Sequence, residues 1–273
     1  MEAQKTILVP WDFSPLSDFA LQHAVIIAKI TEYSITLLHV VEDKSSLESA
    51  KGRLDEVVKK ITGENNIPAH VRIETGKIYK VIPDVASEDH IGLVVMKTDG
   101  VKGMQKYVGS RAIKIMRGAN VPFIVVQDRP QRQTFDRIVY PIDFRTENKE
   151  LLSYIFYLNK FYKSKLFLFR EHSSDKIFKK RITTNLNFTR QILESKHIEF
   201  EIATADGKGD LSDQIVNYAN KVNADLILIQ LPRHLTLTRF LLGVNEQPII
   251  ANPYRIPVMT VNPKDLTKYA GFS

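Results

Sequence analysis

Short apolar segments alternate with longer amphipathic segments along the first half of this chain. The short segments concentrate β-branched residues, and this alternation is typical of βαβ units that build a parallel sheet. It predicts strands near residues 5–10, 34–41, 67–74, 91–97 and 121–127, and helices near 15–31, 45–63, 77–88 and 109–118. The helix at 15–31 has the clearest pattern, because apolar residues recur every three or four positions: Leu16, Phe19, Ala20, Ala24, Ile27 and Ala28.

The second half repeats the same plan. Val9–Phe13 returns as Tyr140–Phe144, with proline and aspartate at matching positions, and Val121–Val126 returns as Ile256–Val261. Two similar segments in the same order and at similar intervals indicate an internal duplication. The pattern predicts strands near 137–141, 165–170, 198–204, 225–230 and 256–261, with helices near 147–162, 177–196, 210–222 and 244–252.

A short polar segment with one proline, residues 127–133, separates the two halves. Segments of this composition commonly link domains. We therefore predict two α/β domains, residues 1–130 and 136–273, and a chain of 273 residues is long enough for both to bury a core.

Composition narrows the class of protein. There is no apolar run of about 18 residues and no signal-peptide pattern, so we expect no membrane segment and a cytoplasmic location. The sequence has no cysteine, which excludes disulfides and thiolate chemistry. The net charge of +7 favours anionic partners, yet lysine and arginine are spread along the chain without a recognisable reading module, so we do not expect nucleic-acid binding.

The segment Lys97–Ser110 is the candidate ligand-binding loop. It follows the apolar run Leu93–Met96, carries three glycines and leads into a predicted helix. A strand-to-helix turn of this kind exposes backbone N–H groups to which a phosphate can bind. Near the start of the chain, Asp12 follows a predicted strand, and Ser14-Pro15 is typical of a helix N-cap and first turn.

Together these motifs resemble the universal stress protein family in its tandem form, with two such domains per chain. The resemblance rests on Pro10-Trp11-Asp12 after the first strand, Leu93–Met96 before the glycine loop, Gly109-Ser110, and the closing strand that begins with Val121-Pro122. It implies two Rossmann-like domains of the adenine nucleotide alpha hydrolase type. Each would be an open five-stranded parallel sheet with helices on both faces, and nucleotide-binding members of the family hold ATP at the carboxyl ends of the strands.

The resemblance also implies roles for individual residues. Pro10, Trp11 and Asp12 would lie beside the adenine and ribose, with Val40 against the base. Met96 and Lys97 would open the phosphate loop. The residues around the phosphates would be Gly100, Gly109, Ser110, Arg111 and Ala112. The implied ligand is ATP with Mg²⁺, and no metal site of the protein's own is implied.

Lys97 departs from the family pattern, which has glycine at this position. Two interpretations are open. The lysine side chain can block the approach of a phosphate to the backbone, or its ammonium can supply a positive charge to the phosphates.

The second domain departs further. Asp143 is retained, but the loop after strand 225–230 contains Pro232 and keeps Gly243 alone of the glycine set, so we expect no nucleotide there. Asp143 would then serve as a turn residue at the end of its strand.

No catalytic machinery is evident in the sequence. The seven histidines lack metal-ligand spacing, and Walker and nucleophile-elbow motifs are absent. The resemblance therefore implies a stress-response protein that binds an adenine nucleotide in its first domain, and the missing motifs lead us to expect that it is not an enzyme. The alternative is a nucleotide-free interaction scaffold. The resemblance also implies that the two domains pair with each other as an intrachain pseudo-dimer, and we expect that the chain can form a homodimer.

Overall fold

The computed structural model describes residues 4–43, 47–98, 110–145, 151–231 and 245–262, with the backbone alone for Ser110 and Arg111. Of these, the residues up to 133 form one compact unit, and those from 134 onward form a second. Each unit combines helices with a five-stranded parallel sheet, which confirms the predicted fold class.

The first unit alternates strands and helices from its first strand to its last. Its elements are β1 (Thr6–Pro10), α1 (Pro15–Thr31), β2 (Ser34–Val41), α2 (Leu47–Asn65), β3 (Ala69–Thr75), α3 (Ile78–Ala86), β4 (Ile91–Lys97), α4 (Ser110–Gly118) and β5 (Phe123–Val126).

The second unit has the same sequence of elements. They are β6 (Arg137–Ile142), α5 (Leu152–Tyr162), β7 (Lys165–Arg170), α6 (Lys176–Ser195), β8 (Phe200–Thr204), α7 (Leu211–Lys221), β9 (Leu226–Gln230), α8 (Glu246–Ile250) and β10 (Val258–Val261). No helix in the described ranges is both long enough and apolar enough to cross a membrane.

Burial explains why the central strands are so apolar. In β1, Ile7, Leu8 and Val9 are fully buried, as expected for parallel strands covered by helices on both faces. The outer strands β3 and β8 are only partly covered, and they accordingly mix polar with apolar side chains.

The helices follow the predicted pattern and differ mainly at their ends. Helix α1 spans Pro15–Thr31 as predicted, with proline in its first turn. The helix predicted at 244–252 is shorter, because Asn245 caps its start by accepting a hydrogen bond from the Gln247 amide, and Asn252 bonds the Ile249 carbonyl beyond its end. Residues 45–46, 109, 147–150 and 244 of the predicted helices lie outside the described ranges.

The strand order indicates where each sheet is expected to bind a ligand. The order is β3-β2-β1-β4-β5 in the first unit and β8-β7-β6-β9-β10 in the second. The direction of winding therefore reverses between β1 and β4, and between β6 and β9. Open parallel sheets bind ligands at the carboxyl ends of the strands beside such a reversal. Asp12 follows β1 at this position, and Lys97 is the last residue of β4.

Candidate functional site

An ion pair between Asp12 and Lys97 lies at the carboxyl ends of β1 and β4. The two strands are parallel neighbours, so residues at their ends are brought together although they are distant in sequence. Lys97 Nζ lies 2.7 Å from Asp12 Oδ2 and donates a second hydrogen bond, of 2.8 Å, to Ser14 Oγ. The lysine side chain is largely buried, whereas the aspartate is more than half exposed.

The other carboxylate oxygen of Asp12 is held by the start of α1. Ser17 Oγ donates to Asp12 Oδ1 at 2.7 Å, and the Ser14 amide donates to the same oxygen at 3.1 Å. Partial burial opposes ionisation of this carboxyl, but the hydrogen bonds from Lys97, Ser17 and Ser14 outweigh it and hold the pKa of Asp12 well below its usual range. Asp12 is therefore an ionised acceptor at any physiological pH.

Aromatic side chains lie beside this ion pair. Phe13 has a left-handed backbone conformation, with φ of 60°, which is uncommon for a bulky residue. Its ring centroid lies 4.9 Å from that of His39 and 6.4 Å from that of Trp11. The Arg53 guanidinium stacks over the Phe13 ring at 3.7 Å, a cation–π contact. The arrangement provides flat rings next to a charged pair.

The Trp11 side chain is buried beside this cluster of charged and aromatic residues. Its backbone amide donates to the Leu38 carbonyl at 2.8 Å, and its carbonyl contacts His39 Nδ1 at 2.7 Å. The indole Nε1 is buried, and no acceptor lies within reach among the residues that the structure describes. An unpaired buried donor of this kind is uncommon in folded proteins.

Asp12 and Lys97 are the predicted nucleotide-site residues that form an ion pair in the described structure. Pro10 ends β1, Val40 lies in β2 and Ala112 in α4, all three half-buried, whereas Met96 is buried in β4 beside Lys97. Gly100 and Gly109 lie outside the described residues, as do the side chains of Ser110 and Arg111, so their predicted roles stay predictions.

Four residues of the cluster were not predicted from sequence as part of the site: Phe13, Ser17, His39 and Arg53. Ser14 was predicted as a helix N-cap, and it does precede α1 with an extended backbone. Its side chain, however, makes no capping hydrogen bond and instead accepts from Lys97. The sequence did contain a signal for Ser17. The serines at positions 14 and 17 follow an aspartate and are one helical turn apart, and hydroxyls at that spacing can reach the same carboxylate.

The equivalent position of the second unit is filled by buried charged side chains. Asp143 follows β6 as Asp12 follows β1, and its Oδ1 accepts from the Arg145 amide at 2.8 Å, as a turn residue would. Its Oδ2 accepts from Arg145 Nε at 2.5 Å, and Arg145 Nη1 donates to Glu246 Oε1 at 3.0 Å. All three side chains are at most 8% exposed.

An amide from α6 completes this cluster. Asn185 Nδ2 donates to the carbonyls of Asp143 and Arg145, at 3.0 and 2.9 Å. Hydrogen bonds between these described side chains and the backbone therefore occupy the position that faces a ligand in the first unit. Within the described part of the chain, no group of three or more histidine, aspartate or glutamate side chains is arranged to hold a metal ion.

The comparisons with known proteins agree with the sequence resemblance. The sequence model of the universal stress protein family matches residues 4–127. A universal stress protein of Methanocaldococcus jannaschii is 28% identical over 145 residues, which are 47% of this chain and 85% of that protein. Both matches concern about half of the chain.

Two solved structures resemble the whole chain. A universal stress protein from Archaeoglobus fulgidus superposes with a TM-score of 0.75 at 20% identity, covering 94% of this chain and 96% of that chain. A functionally unknown protein from Pseudomonas aeruginosa PAO1 superposes with a TM-score of 0.70 at 17% identity, covering 98% of this chain and 95% of that chain. At these identities the likeness concerns the fold.

Proposed function

We propose that this chain, whose residues 4–127 match the sequence model of the universal stress protein family, binds an adenine nucleotide in its first unit and uses Lys97 as the cation for the phosphates. The observation that carries the proposal is the position of Lys97 Nζ, which lies 2.7 Å from Asp12 at the carboxyl end of β4. A largely buried ammonium at a strand end beside the winding reversal is suited to an anionic ligand.

The neighbouring groups fit the remainder of a nucleotide. Asp12 is an ionised acceptor for sugar hydroxyls or a base N–H, while Ser14 and Ser17 carry hydroxyls that can reorient. Phe13 and His39 offer aromatic surface for a base. Mg²⁺ would arrive with the phosphates. The first unit would bind the nucleotide without converting it, in keeping with a stress-response protein that is not an enzyme.

Binding requires Lys97 to exchange partners. Its ammonium is neutralised by Asp12, so a ligand gains little unless it offers an equally good anionic acceptor. A phosphate does so, because one charge-assisted hydrogen bond replaces another and Asp12 Oδ2 becomes available to the ligand. A nucleoside without phosphate would break the ion pair without replacing it. We therefore expect ATP to bind much more tightly than adenosine.

Isothermal calorimetry on the nucleotide-stripped full chain tests the proposal. We expect one ATP site per chain, with micromolar affinity or about −8 kcal/mol. Lys97→Met should weaken ATP binding about tenfold or more, because the phosphates lose a charged partner. The matched control is Lys29→Met, which removes an equal charge from the exposed last turn of α1 and should leave the affinity unchanged.

Two results would contradict this role for Lys97. If Lys97→Gly, which restores the family residue, binds ATP more tightly than the natural chain, the lysine obstructs the phosphate. If no heat is seen up to millimolar ATP for either protein, the first unit does not bind the nucleotide.

The second candidate function is a nucleotide-free interaction scaffold. The observation that favours it is the same ion pair, because Asp12 and Lys97 satisfy each other without a ligand. Under this hypothesis, Asp12→Asn would change the stability of the first unit and would leave ATP titrations as flat as those of the natural chain. The cytoplasmic location, the pairing of the two halves and a homodimer of chains stay predictions.

A further inference from the structure

Among the described residues, the buried cluster of the second unit holds two carboxyl groups, Asp143 and Glu246, and one guanidinium, Arg145. Arg145 is shared between Asp143 and Glu246, through hydrogen bonds from Nε and Nη1 respectively. A third carboxyl group, that of Glu171, lies directly after β7 and beside β6, since the Glu171 amide donates to the Ile142 carbonyl at 2.9 Å. Ionisation of Glu171 would therefore add a further negative charge close to Asp143.

The surroundings of Glu171 disfavour the ionised form of its carboxyl group. Its carboxyl accepts a hydrogen bond from the Phe144 amide, but Oε2 is buried and has no partner within the described ranges. Burial and the negative charge of Asp143 raise the pKa of Glu171 to about 7, against the opposing effects of Arg145 and the Phe144 amide. A buried carboxylate oxygen without a donor is costly, whereas the neutral acid is tolerated.

The other described members of this cluster offer Glu171 no further positive charge. From β6 and the segment after it come Tyr140, Asp143 and Arg145, and burial with the charge of Asp143 keeps the phenol of Tyr140 neutral by raising its pKa. From α8 comes Glu246, which takes one of the donors of Arg145. From α6 comes the neutral amide of Asn185. Arg170 and His172 flank Glu171 in the chain.

We propose that Glu171, whose buried Oε2 lacks a donor among the described residues, is the proton-binding group of this cluster, and that loss of its proton destabilises the packing of β6 and β7 around Arg145. The direction follows from proton linkage. The folded state binds the Glu171 proton more tightly than the unfolded chain does, so its contribution to stability is complete below the ordinary pKa of 4.5 and is lost as the pH rises from there through about 7. The second unit would thus respond to small changes of pH. This inference does not depend on nucleotide binding.

Hydrogen exchange of the full-length chain, measured by mass spectrometry on peptides that cover β6 and β7, tests this inference. After correction for the intrinsic pH dependence of exchange, we expect protection to fall between about pH 5 and pH 7 and to level off above pH 7. In Glu171→Gln the fall should disappear. At pH 8 the variant's peptides should be at least tenfold better protected than those of the natural chain, because the pKa of Glu171 is raised by more than one unit and each unit corresponds to a factor of ten. The control is Glu199→Gln, an exposed glutamate just before β8, which should behave as the natural chain does.

An equal fall of protection in the natural chain and in Glu171→Gln would overturn the inference, as would lower protection of the variant at pH 8. A direct titration covers the case in which Glu171→Gln fails to fold. In the natural chain labelled with ¹³C at glutamate carboxyls, one resonance should titrate with a midpoint between pH 6 and pH 8. Titration of every glutamate below pH 5.5 would overturn the inference.

Discussion

Arg145 is a residue whose replacement should be costly, because it is the counter-ion of two buried carboxylates. Arg145→Met would leave Asp143 and Glu246 without their guanidinium, and removal of one partner from a buried ion pair typically costs about 3–5 kcal/mol. We expect a loss of that size in the free energy of unfolding of the second unit, measured by urea denaturation at pH 6.

Arg190 provides the matched control. It forms an exposed pair with Glu194 one turn away on α6, with the two charged atoms 3.5 Å apart, and such surface pairs contribute about 0–1 kcal/mol. A cost for Arg145→Met no larger than that for Arg190→Met would contradict the structural role assigned to the buried cluster.

For individual residues, the sequence predicts the position in the fold better than the side chains that each residue contacts. Asp12 and Lys97 could be named from the motif at the ends of two strands, and they do lie together. The pair Arg145–Glu246 could not be predicted, because its members are 101 residues apart and the contact depends on how β6 and α8 meet. Ser14 illustrates the same limit, since an N-cap pattern cannot tell whether the hydroxyl bonds a helix amide or a distant lysine.

Helix α6 depends on its N-cap for order in its first turn. Asp175 Oδ1 accepts hydrogen bonds from the amides of Ile177 and Phe178, at 2.8 and 3.0 Å. Asp175→Ala removes both bonds and should cost about 1 kcal/mol. Asp175→Asn keeps the acceptor and should cost a few tenths of that. Hydrogen exchange should show faster exchange of the first-turn amides in the alanine variant alone, and equal exchange in both variants would contradict the capping role.

Element boundaries are harder to predict than element types for a related physical reason. The alternation of β-branched runs with amphipathic segments predicts every strand of the described structure, because burial on both faces demands apolar residues. Helix ends depend on single residues. Helix α1 ends at Thr31 and is capped by Glu32, which has a left-handed conformation with φ of 60°, where the usual signal would be glycine.

The two units show the same topology with different electrostatics at the same position. After the central strand, the first unit has an exposed Asp12 whose partner is a flexible lysine from a neighbouring strand. The second unit has a buried Asp143 whose partner is a planar guanidinium held from both sides. A lysine can change partners at small cost, whereas the buried arginine cannot leave without exposing two carboxylates to an apolar environment. Ligand exchange is therefore expected in the first unit alone.

The whole chain should show opposite pH dependence in its two units. In the first unit, burial of His23 lowers its pKa to about 4, although the Asp128 carbonyl, 3.2 Å from Nε2, favours the charged form. The unfolded chain then binds the His23 proton between pH 6.5 and pH 4 while the folded unit does not. The first unit should lose about 3 kcal/mol as the pH falls through this window, whereas Glu171 makes the second unit less stable as the pH rises.

Separate probes can follow the two units in one sample. Trp11 is the chain's single tryptophan, so its fluorescence reports unfolding of the first unit, while exchange of β7 peptides reports the second. His23→Gln keeps a hydrogen-bond donor without a titrating ring and should flatten the fluorescence-detected pH dependence between pH 4.5 and pH 6.5. The control His70→Gln, at an exposed position in β3, should not. If both probes showed stability moving in the same direction with pH, burial of His23 and Glu171 would not be what sets it.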